Sequence, residues 1–366
     1  MTSELPASID RIGHPEWDRL LPQFHDATIY QTWSYGAGRW GSPSLSHLVL
    51  MRDDVPVGLA QVAVRRVPLL GAGIAYVPWG PLWRRDGTDP EVFRALVRAL
   101  RDEYSERRGL LLRIAPHEHL DPTSPVAAIL VQEGYRRTAD FYRTLLIDLR
   151  QSPEELRRQM SRRWRRALDK AEHLGLQIEE GTSDDLYAVF KGIHRDMVRR
   201  KGFVPAVDVD QFQQIQHELP DGLKMHILVC RQEDRPTAAL MASAIGDTGV
   251  GLLGATATEG LSSGSFHLLN VRMMAWLKER GALYYDFGGY DPVRNRGTAR
   301  FKDGLRGADV SFVGRYEVCS SRLSGPLVGL AERLRDAVDL QRERRAAMQA
   351  PRGLRPGSTT PARRRR

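Results

Sequence analysis

Two stretches of this 366-residue chain repeat one pattern, and the repeat limits the folds that the chain can adopt. HLVLMRDDVPVGLAQVAV begins at His47, and HILVCRQEDRPTAALMASAI begins at His226. Each consists of an apolar strand, a charged turn, a proline and a second apolar strand, which is the pattern of a β-hairpin. The two prolines, Pro56 and Pro236, are 180 residues apart. Another strand, a helix and a further strand follow each hairpin, so we predict two copies of one mixed α/β unit in tandem.

Length and composition agree with two globular domains. The chain is 42% hydrophobic and 27% charged, which is ordinary for a soluble protein. Its two cysteines, Cys230 and Cys319, are too few for a zinc site or a disulfide framework and fit a reducing cytosol. No apolar run reaches the roughly 18 residues of a spanning helix, and the N-terminus lacks the segments of a signal peptide. We expect a cytoplasmic protein, with the inner face of the membrane as a further place of contact.

The predicted domains are residues 8–150 and residues 151–320. A C-terminal helix over 322–350 and an arginine-rich tail over 351–366 follow them. The chain has a net charge of +9, and the six arginines of the tail, which has no acidic residue, leave +3 for the body. The proline, glycine, serine and threonine content predicts a disordered tail. We expect this tail to be solvated, with anionic lipid or RNA as an alternative contact.

A basic helix is predicted over residues 152–174. Ser152 to Glu155 form a capping box, and an apolar residue recurs every four positions at Leu156, Met160, Trp164 and Leu168. Its other faces carry seven basic residues, namely Arg157, Arg158, Arg162, Arg163, Arg165, Arg166 and Lys170. These faces are either solvated or bind an anionic polymer.

The stretch from Ala282 to Tyr316 predicts a cleft with charge at its mouth. An apolar strand, LYYDF, stops at two glycines, a basic loop follows, and a second apolar run extends from Val310 to Tyr316. Asp286 lies inside the first strand, where an unpaired carboxylate is costly, so we predict that it has a partner. It is either a structural residue or part of the site. Lys302 is either a surface lysine or the charge of the cleft.

A series of motifs in chain order resembles the FemABX aminoacyltransferases, which build peptidoglycan cross-bridges. These motifs are YQTWSYGAGRW, YVPWGPLW, RRWRRALDKAEHLGLQI, RRKGF, YYDFGG and RFKDGLRG, and the resemblance covers roughly residues 15–318. It implies two tandem acetyltransferase-like (GNAT) domains with mixed α/β sheets. This fold agrees with the duplication found in the hairpins.

The resemblance also implies an activity. The chain would transfer an amino acid from an aminoacyl-tRNA, as co-substrate, to an amine of a UDP- or lipid-linked peptidoglycan precursor, without a cofactor or metal. Such a transfer needs loss of an amine proton and stabilisation of an oxyanion. The candidate catalytic residues are Lys302, by electrostatic stabilisation or phosphate contact, and Asp286. The candidate substrate-binding residues are Arg39, Arg200, Gln31, Trp33, Tyr35 and Phe301, and those for tRNA are Arg162, Arg163 and Arg166.

Three departures from the family pattern leave the acceptor open. Ala115 stands where the family often has an aspartate, Leu305–Arg306 replace a Phe-Gly pair, and Leu252–Leu253 replace an aromatic residue. A secondary-metabolite amine is therefore an alternative acceptor. An acyl-CoA acyltransferase would need a glycine-rich loop that opens a helix, and the nearest segment, Gly260–Ser265, lacks the usual pattern. The last alternative is a non-catalytic module that binds RNA or a membrane.

Overall fold

The computed structural model describes residues 5–334, except 69–70, 86–88, 141, 203–204 and 206. The first part of the chain forms strands β1 (Ala7–Ile9), β2 (Leu45–Arg52), β3 (Val55–Arg66), β4 (Gly73–Pro78), β5 (Leu111–Ala115), β6 (Arg136–Ala139) and β7 (Arg143–Asp148). Its helices are α1 (His14–Leu20), α2 (Trp33–Trp40), α3 (Pro90–Leu100), which continues as the π-helix Arg101–Arg107, and α4 (Val126–Gln132).

The second part repeats this order of elements. Its helices are α5 (Pro153–Gln159), α6 (Arg162–His173), α7 (Asp184–Lys201), α8 (Val209–Glu218), α9 (Gly260–Ser263), α10 (Ser265–Glu279), α11 (Arg296–Asp303) and α12 (324–334). Its strands are β8 (Gln177–Gly181), β9 (His226–Gln232), β10 (Arg235–Ser243), β11 (Thr248–Thr256), β12 (Tyr284–Gly289), β13 (Ala308–Ser311) and β14 (Arg315–Val318). The C-terminal helix predicted over 322–350 is described only to residue 334, and the predicted tail lies outside the described residues.

The two sheets confirm the predicted duplication. One has the strand order β1-β2-β3-β4-β5-β14-β6, and the other, read from its far edge, has the order β8-β9-β10-β11-β12-β7-β13. Two helices lie between the first and second strands of each unit, α1 and α2 in one and α7 and α8 in the other. Each sheet contains one parallel pair, β4 with β5 and β11 with β12, among the described strands.

The repeated hairpins agree in fine detail. Asp53–Asp54 and Glu233–Asp234 occupy the two turns, and all four residues have positive φ, at 48° and 61° in one turn and 48° and 62° in the other. Two consecutive residues with positive φ are typical of a tight hairpin turn whose twist matches that of the strands. The register of each hairpin also shifts next to its proline, Pro56 or Pro236. The repeated sequence thus produces a repeated backbone.

The two units exchange a strand, which the sequence did not predict. β14 inserts into the first sheet between β5 and β6, and β7 inserts into the second sheet between β12 and β13. The predicted division at residue 150 assigned β7 to the first unit, whereas the structure pairs it in the second sheet. The predicted run from Val310 to Tyr316 is likewise two strands in different sheets, because Gly314 turns the chain with a φ of 105°.

A shared apolar core joins the two units. It contains Trp17, Phe24 and Ile29 from the first unit and Tyr187 and Phe190 from the second, all of which are fully buried. Burial of each large apolar side chain contributes about 1.5–3 kcal/mol relative to exposure. This core and the exchanged strands together hold the two sheets in a fixed relation.

The predicted basic helix is two helices. Met160 has a ψ of 145° and ends α5, and Ser161 caps α6 by accepting a hydrogen bond from the backbone N–H of Trp164. The backbone N–H of Ser161 donates to the carbonyl of Gly304 at 2.8 Å, so this break docks the chain onto α11. Three of the four residues of the predicted apolar stripe, Met160, Trp164 and Leu168, are buried, and Leu156 is half-buried.

The described residues include no helix that is both long and apolar enough to cross a membrane.

Candidate active site

A cavity opens where the parallel strands of the second unit stop pairing. β11 and β12 pair regularly only as far as Val250 and Asp286. Beyond this point lies a cavity of about 490 Å³, which the ends of both strands line. Its wall is largely apolar and includes Leu240, Leu252, Leu253, Phe266, Phe287 and Phe301, and its basic residues are Lys201, His267 and Lys302. An apolar cavity with a few polar groups is the usual form of a small-molecule site.

Lys302 is held in place by the glycines that end β12. Its Nζ donates to the carbonyl oxygens of Gly288 at 2.8 Å and Gly289 at 2.9 Å, and it lies 5.4 Å from the ring centre of Phe287. Gly288 has a φ of 80°, which a residue without a Cβ adopts readily. The predicted basic loop is here a short helix, α11, whose N-cap is Asn295.

The surroundings of Lys302 change the pKa of its ammonium group. The residue is 9% exposed, and burial lowers the pKa of its ammonium group to about 8, although the charge of Asp286 opposes this shift. A group with this pKa is still mainly protonated at pH 7. Two of its three N–H donors serve the glycine carbonyls, so the third is available to a ligand in the cavity.

Asp286 lies behind this lysine and is 1% exposed. Its Oδ1 accepts hydrogen bonds from the backbone N–H of Gly288, at 2.8 Å, and from the hydroxyl of Thr144. Burial raises the pKa of the carboxyl group, while the bonds from Thr144 and Gly288 and the charge of Lys302 oppose that rise. The predicted partner of Asp286 is confirmed. The side chain fixes the turn that holds Lys302 and is not in the cavity wall, and its predicted catalytic role stays a prediction.

Aromatic residues from the first half of the chain complete the cavity. Tyr30 and Tyr142 both line it. The Tyr30 ring stacks on Trp79 at 4.6 Å, and the Tyr142 ring meets Trp79 edge-on at 4.8 Å. Burial raises the pKa of both phenols well above the ordinary range, so they stay protonated. Sequence reasoning missed Tyr142 and Thr144, and the only signal was a polar residue, Thr144, within an apolar strand.

The helix α6 joins the basic surface to this cavity. Trp164 packs against His267 at 4.7 Å and Phe301 at 5.8 Å, and both of these residues line the cavity. Burial, reinforced by the nearby charge of Arg163, lowers the pKa of His267 to about 4. The face of α6 that carries Arg163 therefore adjoins the cavity.

The predicted tRNA-binding residues share one exposed face of α6. In the described part of the chain, Arg162, Arg163 and Arg166 are exposed and have no hydrogen-bonding or ion-pairing partner. Arg157, in contrast, is paired with Asp169 and Glu172. The positive charge available to a partner is thus concentrated on the first two turns of α6.

The predicted substrate-binding residues fall in different places. Phe301 lines the cavity, and Arg200 lies near its rim, donating to the carbonyl of Thr256 at 2.9 Å and to the hydroxyl of Thr258 at 3.2 Å. Tyr35 and Arg39 line a second cavity, of about 610 Å³, on the first unit. Trp79 also lines this second cavity, so the Tyr30–Trp79 stack lies between the two cavities.

Gln31 and Trp33 line neither of the two cavities, and their predicted substrate-binding roles stay predictions. Gln31 is fully buried, its amide donates to the carbonyl of Pro78, and its Oε1 accepts from the backbone N–H of Gln61 at 3.0 Å. It therefore joins β3 to the end of β4. Trp33 stacks on His47 with ring centres 3.9 Å apart and takes no part in lining either cavity.

The described residues include no group of three or more His, Cys, Asp or Glu side chains placed to hold a metal ion.

Comparison with known proteins agrees with this architecture. Residues 155–303 match the acetyltransferase (GNAT) domain family. The structure of FemX aligns with a TM-score of 0.75 at 16% identity, over 88% of this chain and 99% of FemX. A conserved protein of unknown function from Bacteroides thetaiotaomicron aligns with a TM-score of 0.56 at 10% identity, over 86% of this chain and 99% of that one.

A third structure shares the fold. It is the C-terminal domain (DUF2156) of a protein assigned as a lysylphosphatidylglycerol synthetase from Agrobacterium fabrum. This domain aligns with a TM-score of 0.53 at 14% identity, over 87% of this chain and 97% of the domain. No curated protein matches the chain in sequence.

The match of residues 155–303 to the acetyltransferase (GNAT) domain family and the two related sheets give the chain the fold of two tandem GNAT-like domains. Within this class its fold is that of FemX, which confirms the predicted resemblance to the FemABX family.

Proposed function

We propose that the chain is an aminoacyl-tRNA-dependent aminoacyltransferase that adds an amino acid to an amine of a peptidoglycan precursor. The observation that carries this proposal is Lys302, a buried ammonium group held at a cavity whose rim adjoins an exposed basic helix. A cation in an apolar site stabilises developing negative charge far better than one in water. The fold shared with FemX supports the same reading.

The transfer requires little from the protein. The acceptor amine attacks the ester carbonyl of the charged tRNA, so an N–C bond forms and the C–O bond to the ribose breaks. The amine loses a proton, through water or a phosphate of the acceptor, and the departing ribose oxygen gains one. Lys302 uses its remaining N–H to stabilise the oxyanion, and the neutral phenols of Tyr30 and Tyr142 face the same space. Removal of one such donor typically lowers kcat by about 10²–10³.

The two substrates would approach along different surfaces. The exposed arginines of α6 suit the phosphates of tRNA. Arg39 and Arg200 remain candidates for the pyrophosphate of a UDP- or lipid-linked acceptor, because a guanidinium group binds phosphate in bidentate fashion. A lipid-linked acceptor would place the cytoplasmic enzyme at the inner face of the membrane.

Transfer of radiolabel tests the donor and the reaction class together. Bulk tRNA is charged with labelled amino acids and mixed with the protein and a pool of peptidoglycan precursors. We expect label on the precursor, with loss of the signal after RNase treatment. Label on an added metabolite amine instead of the precursor would identify that amine as the acceptor. Consumption of acetyl-CoA without any aminoacyl transfer would refute the proposal.

A charge reversal tests the tRNA surface. Replacing Arg162, Arg163 and Arg166 with Glu is expected to weaken tRNA binding and to flatten its salt dependence, since fewer counterions are released. The matched control is the triple variant Arg11→Glu, Arg136→Glu and Arg235→Glu, which reverses three exposed arginines outside α6. Equal binding by the two triple variants would remove α6 from the tRNA site.

The geometry disfavours acyl-CoA as the donor. At the start of α10 the backbone N–H groups of His267 and Leu268 both donate to the carbonyl of Gly264, and that of Ser265 donates to the hydroxyl of Ser263. The ring of Phe266 packs against Gly254 so closely that a Cβ there would lie 2.6 Å from it. Three of the N–H groups at the start of this helix, where a CoA pyrophosphate would bind, are therefore already paired.

A further inference from the structure

The second cavity is rich in arginine. It lies on the face of the first sheet opposite α3 and α4, between α2 and α12. Its lining includes five arginines and four large aromatic residues, namely Arg39, Arg65, Arg66, Arg113, Arg315, Tyr35, Trp40, Tyr76 and Trp79. The single acidic residue in the lining, among those that the structure describes, is Glu332 of α12. Such a cavity suits an anionic ligand with an apolar or flat part.

Glu332 forms an ion pair with one of these arginines, Arg113. Nη1 of Arg113 donates to Oε1 of Glu332 at 2.5 Å, and Nε of Arg113 donates to Glu317 at 2.6 Å. The side chain of Arg113 is only 13% exposed. Glu317 lies on β14, which pairs with β5 beside Arg113, and so it belongs to the sheet. Glu332, in contrast, reaches the arginine from a separate helix.

Arg315 lies in the same cavity and is unpaired. Its Nε is buried without a hydrogen-bonding partner, and its guanidinium group forms no ion pair within the part of the chain described here. Burial raises the pKa of the neighbouring Tyr76 phenol, although the charges of Arg315 and Arg113 oppose this rise. A buried N–H without an acceptor costs about 1–3 kcal/mol, so a ligand oxygen that accepts from this N–H would remove that cost.

Within residues 324–334, the described part of the helix that carries Glu332, the buried contacts lie at the start. Ser324 is fully buried, donates to the carbonyl of Gly109 at 2.6 Å and accepts from the backbone N–H of Gly73 at 3.1 Å. No residue from 325 to 334 is buried, and Leu330 and Leu334 are 55% and 61% exposed. Because residues 325–334 bury little apolar surface, lifting this part of α12 exposes little further apolar surface to water.

We propose that Arg113 and Arg315 form a binding site for a phosphate or carboxylate group, and that α12 is a lid whose Glu332 fills this site until the ligand displaces it. The site itself follows from the cavity, the buried Nε of Arg315, which has no acceptor, and the carboxylate of Glu332 on Arg113. Only the identification of the ligand with the acceptor rests on the proposed function, through Arg39 in the same cavity.

Calorimetric titration at low salt tests the competition. The wild-type protein and Glu332→Gln are titrated with inorganic pyrophosphate and, separately, with N-acetyl-Ala-Ala, which has a carboxylate and no phosphate. We expect Glu332→Gln to bind one of these probes about 2- to 5-fold more tightly, because a half-exposed ion pair contributes up to about 1 kcal/mol. Adding Arg315→Gln should abolish the gain. Glu218→Gln, which neutralises an exposed acid on α8, is the matched control and should behave as wild type.

Hydrogen exchange provides a second measurement, which distinguishes a lid that a ligand displaces from a helix with a purely structural role. The responding probe, at saturation, should speed the exchange of amides 327–334 in the wild-type protein and leave it unchanged in Arg315→Gln. A gain with pyrophosphate alone assigns a phosphate group, and a gain with the peptide alone assigns a carboxylate. Equal affinity of wild type and Glu332→Gln for both probes, or slower exchange in α12, would overturn the proposal. Neither measurement needs a charged tRNA, so the proposed anion site can be refuted without refuting the proposed transfer activity, and the reverse also holds.

Discussion

Lys302→Met removes an ammonium group from a place where charge is costly. Burial lowers the pKa of Lys302 from 10.5 to about 8. Each pKa unit corresponds to about 1.36 kcal/mol, so keeping this group charged in the folded protein costs about 3 kcal/mol. The cost lies in the folded state, since the unfolded chain leaves the lysine in water.

The sign of the pH dependence follows from the direction of the shift. Below pH 8 the lysine is protonated in both states and the full cost is present. Between pH 8 and 10.5 the unfolded state keeps the proton and the folded state loses it. The cost of burying the charge therefore disappears as pH rises, and the folded state becomes more stable. The free energy of unfolding of the wild type, minus that of Lys302→Met, should therefore increase by up to about 3 kcal/mol over this range.

Urea unfolding at several pH values between 7 and 10.5 measures this difference. Other titrating groups occur in both proteins, so most of their contribution cancels in the subtraction. Lys170→Met, the same change at an exposed position on α6, is the matched control and should give a difference that does not vary with pH. A constant difference for Lys302→Met as well would refute the argument that this ammonium group is desolvated.

The same variant tests the chemistry. At pH 7 we expect kcat for aminoacyl transfer to fall by about 10²–10³, while tRNA still binds to α6. A variant that is folded and binds tRNA but does not transfer would exclude a non-catalytic binding module. Turnover near the wild-type rate would remove Lys302 from the mechanism.

Three further changes probe the surroundings of this site. Asp286→Asn removes the charge that raises the pKa of Lys302, so the alkaline fall of kcat/KM should begin at a lower pH than in the wild type; an unmoved profile would contradict this coupling. Trp164→Ala should cost about 3–5 kcal/mol in urea unfolding and impair transfer, because the indole supports α11; a loss below about 1 kcal/mol would show that α6 is loosely packed. Gly246→Ala would place a Cβ 2.4 Å from the carbonyl oxygen of His25, so a loss of about 1–3 kcal/mol is expected; unchanged stability would show that the two units can separate there.

The repeated hairpins show which features of the fold the local sequence determines. Strand, turn and strand lie within about twenty residues, and alternating burial, a charged turn and a proline encode them directly. The stripe at Met160, Trp164 and Leu168 predicted a buried helix face for the same reason. The break at Met160 was not predictable, because the contact of Ser161 with Gly304 joins residues that are far apart in the chain.

The candidate site was predicted only in part. The motif around Lys302 located the lysine and its two glycines. Thr144 was missed, since its contact with Asp286 spans 142 residues. The burial of Gln31 between two strands was not predicted, because a motif does not show whether a side chain faces a cavity or joins two strands.

The sequence by itself determined the tandem α/β units, the basic face of α6 and the residues that bring charge to one cleft, because each of these depends on periodicity or spacing within a short segment. Tertiary structure alone decided the exchange of β7 and β14, the lowered pKa of Lys302 and the contact of Glu332 with Arg113. The physical reason is that strand pairing, desolvation and ion pairing depend on which distant segments meet, and local patterns do not record that choice.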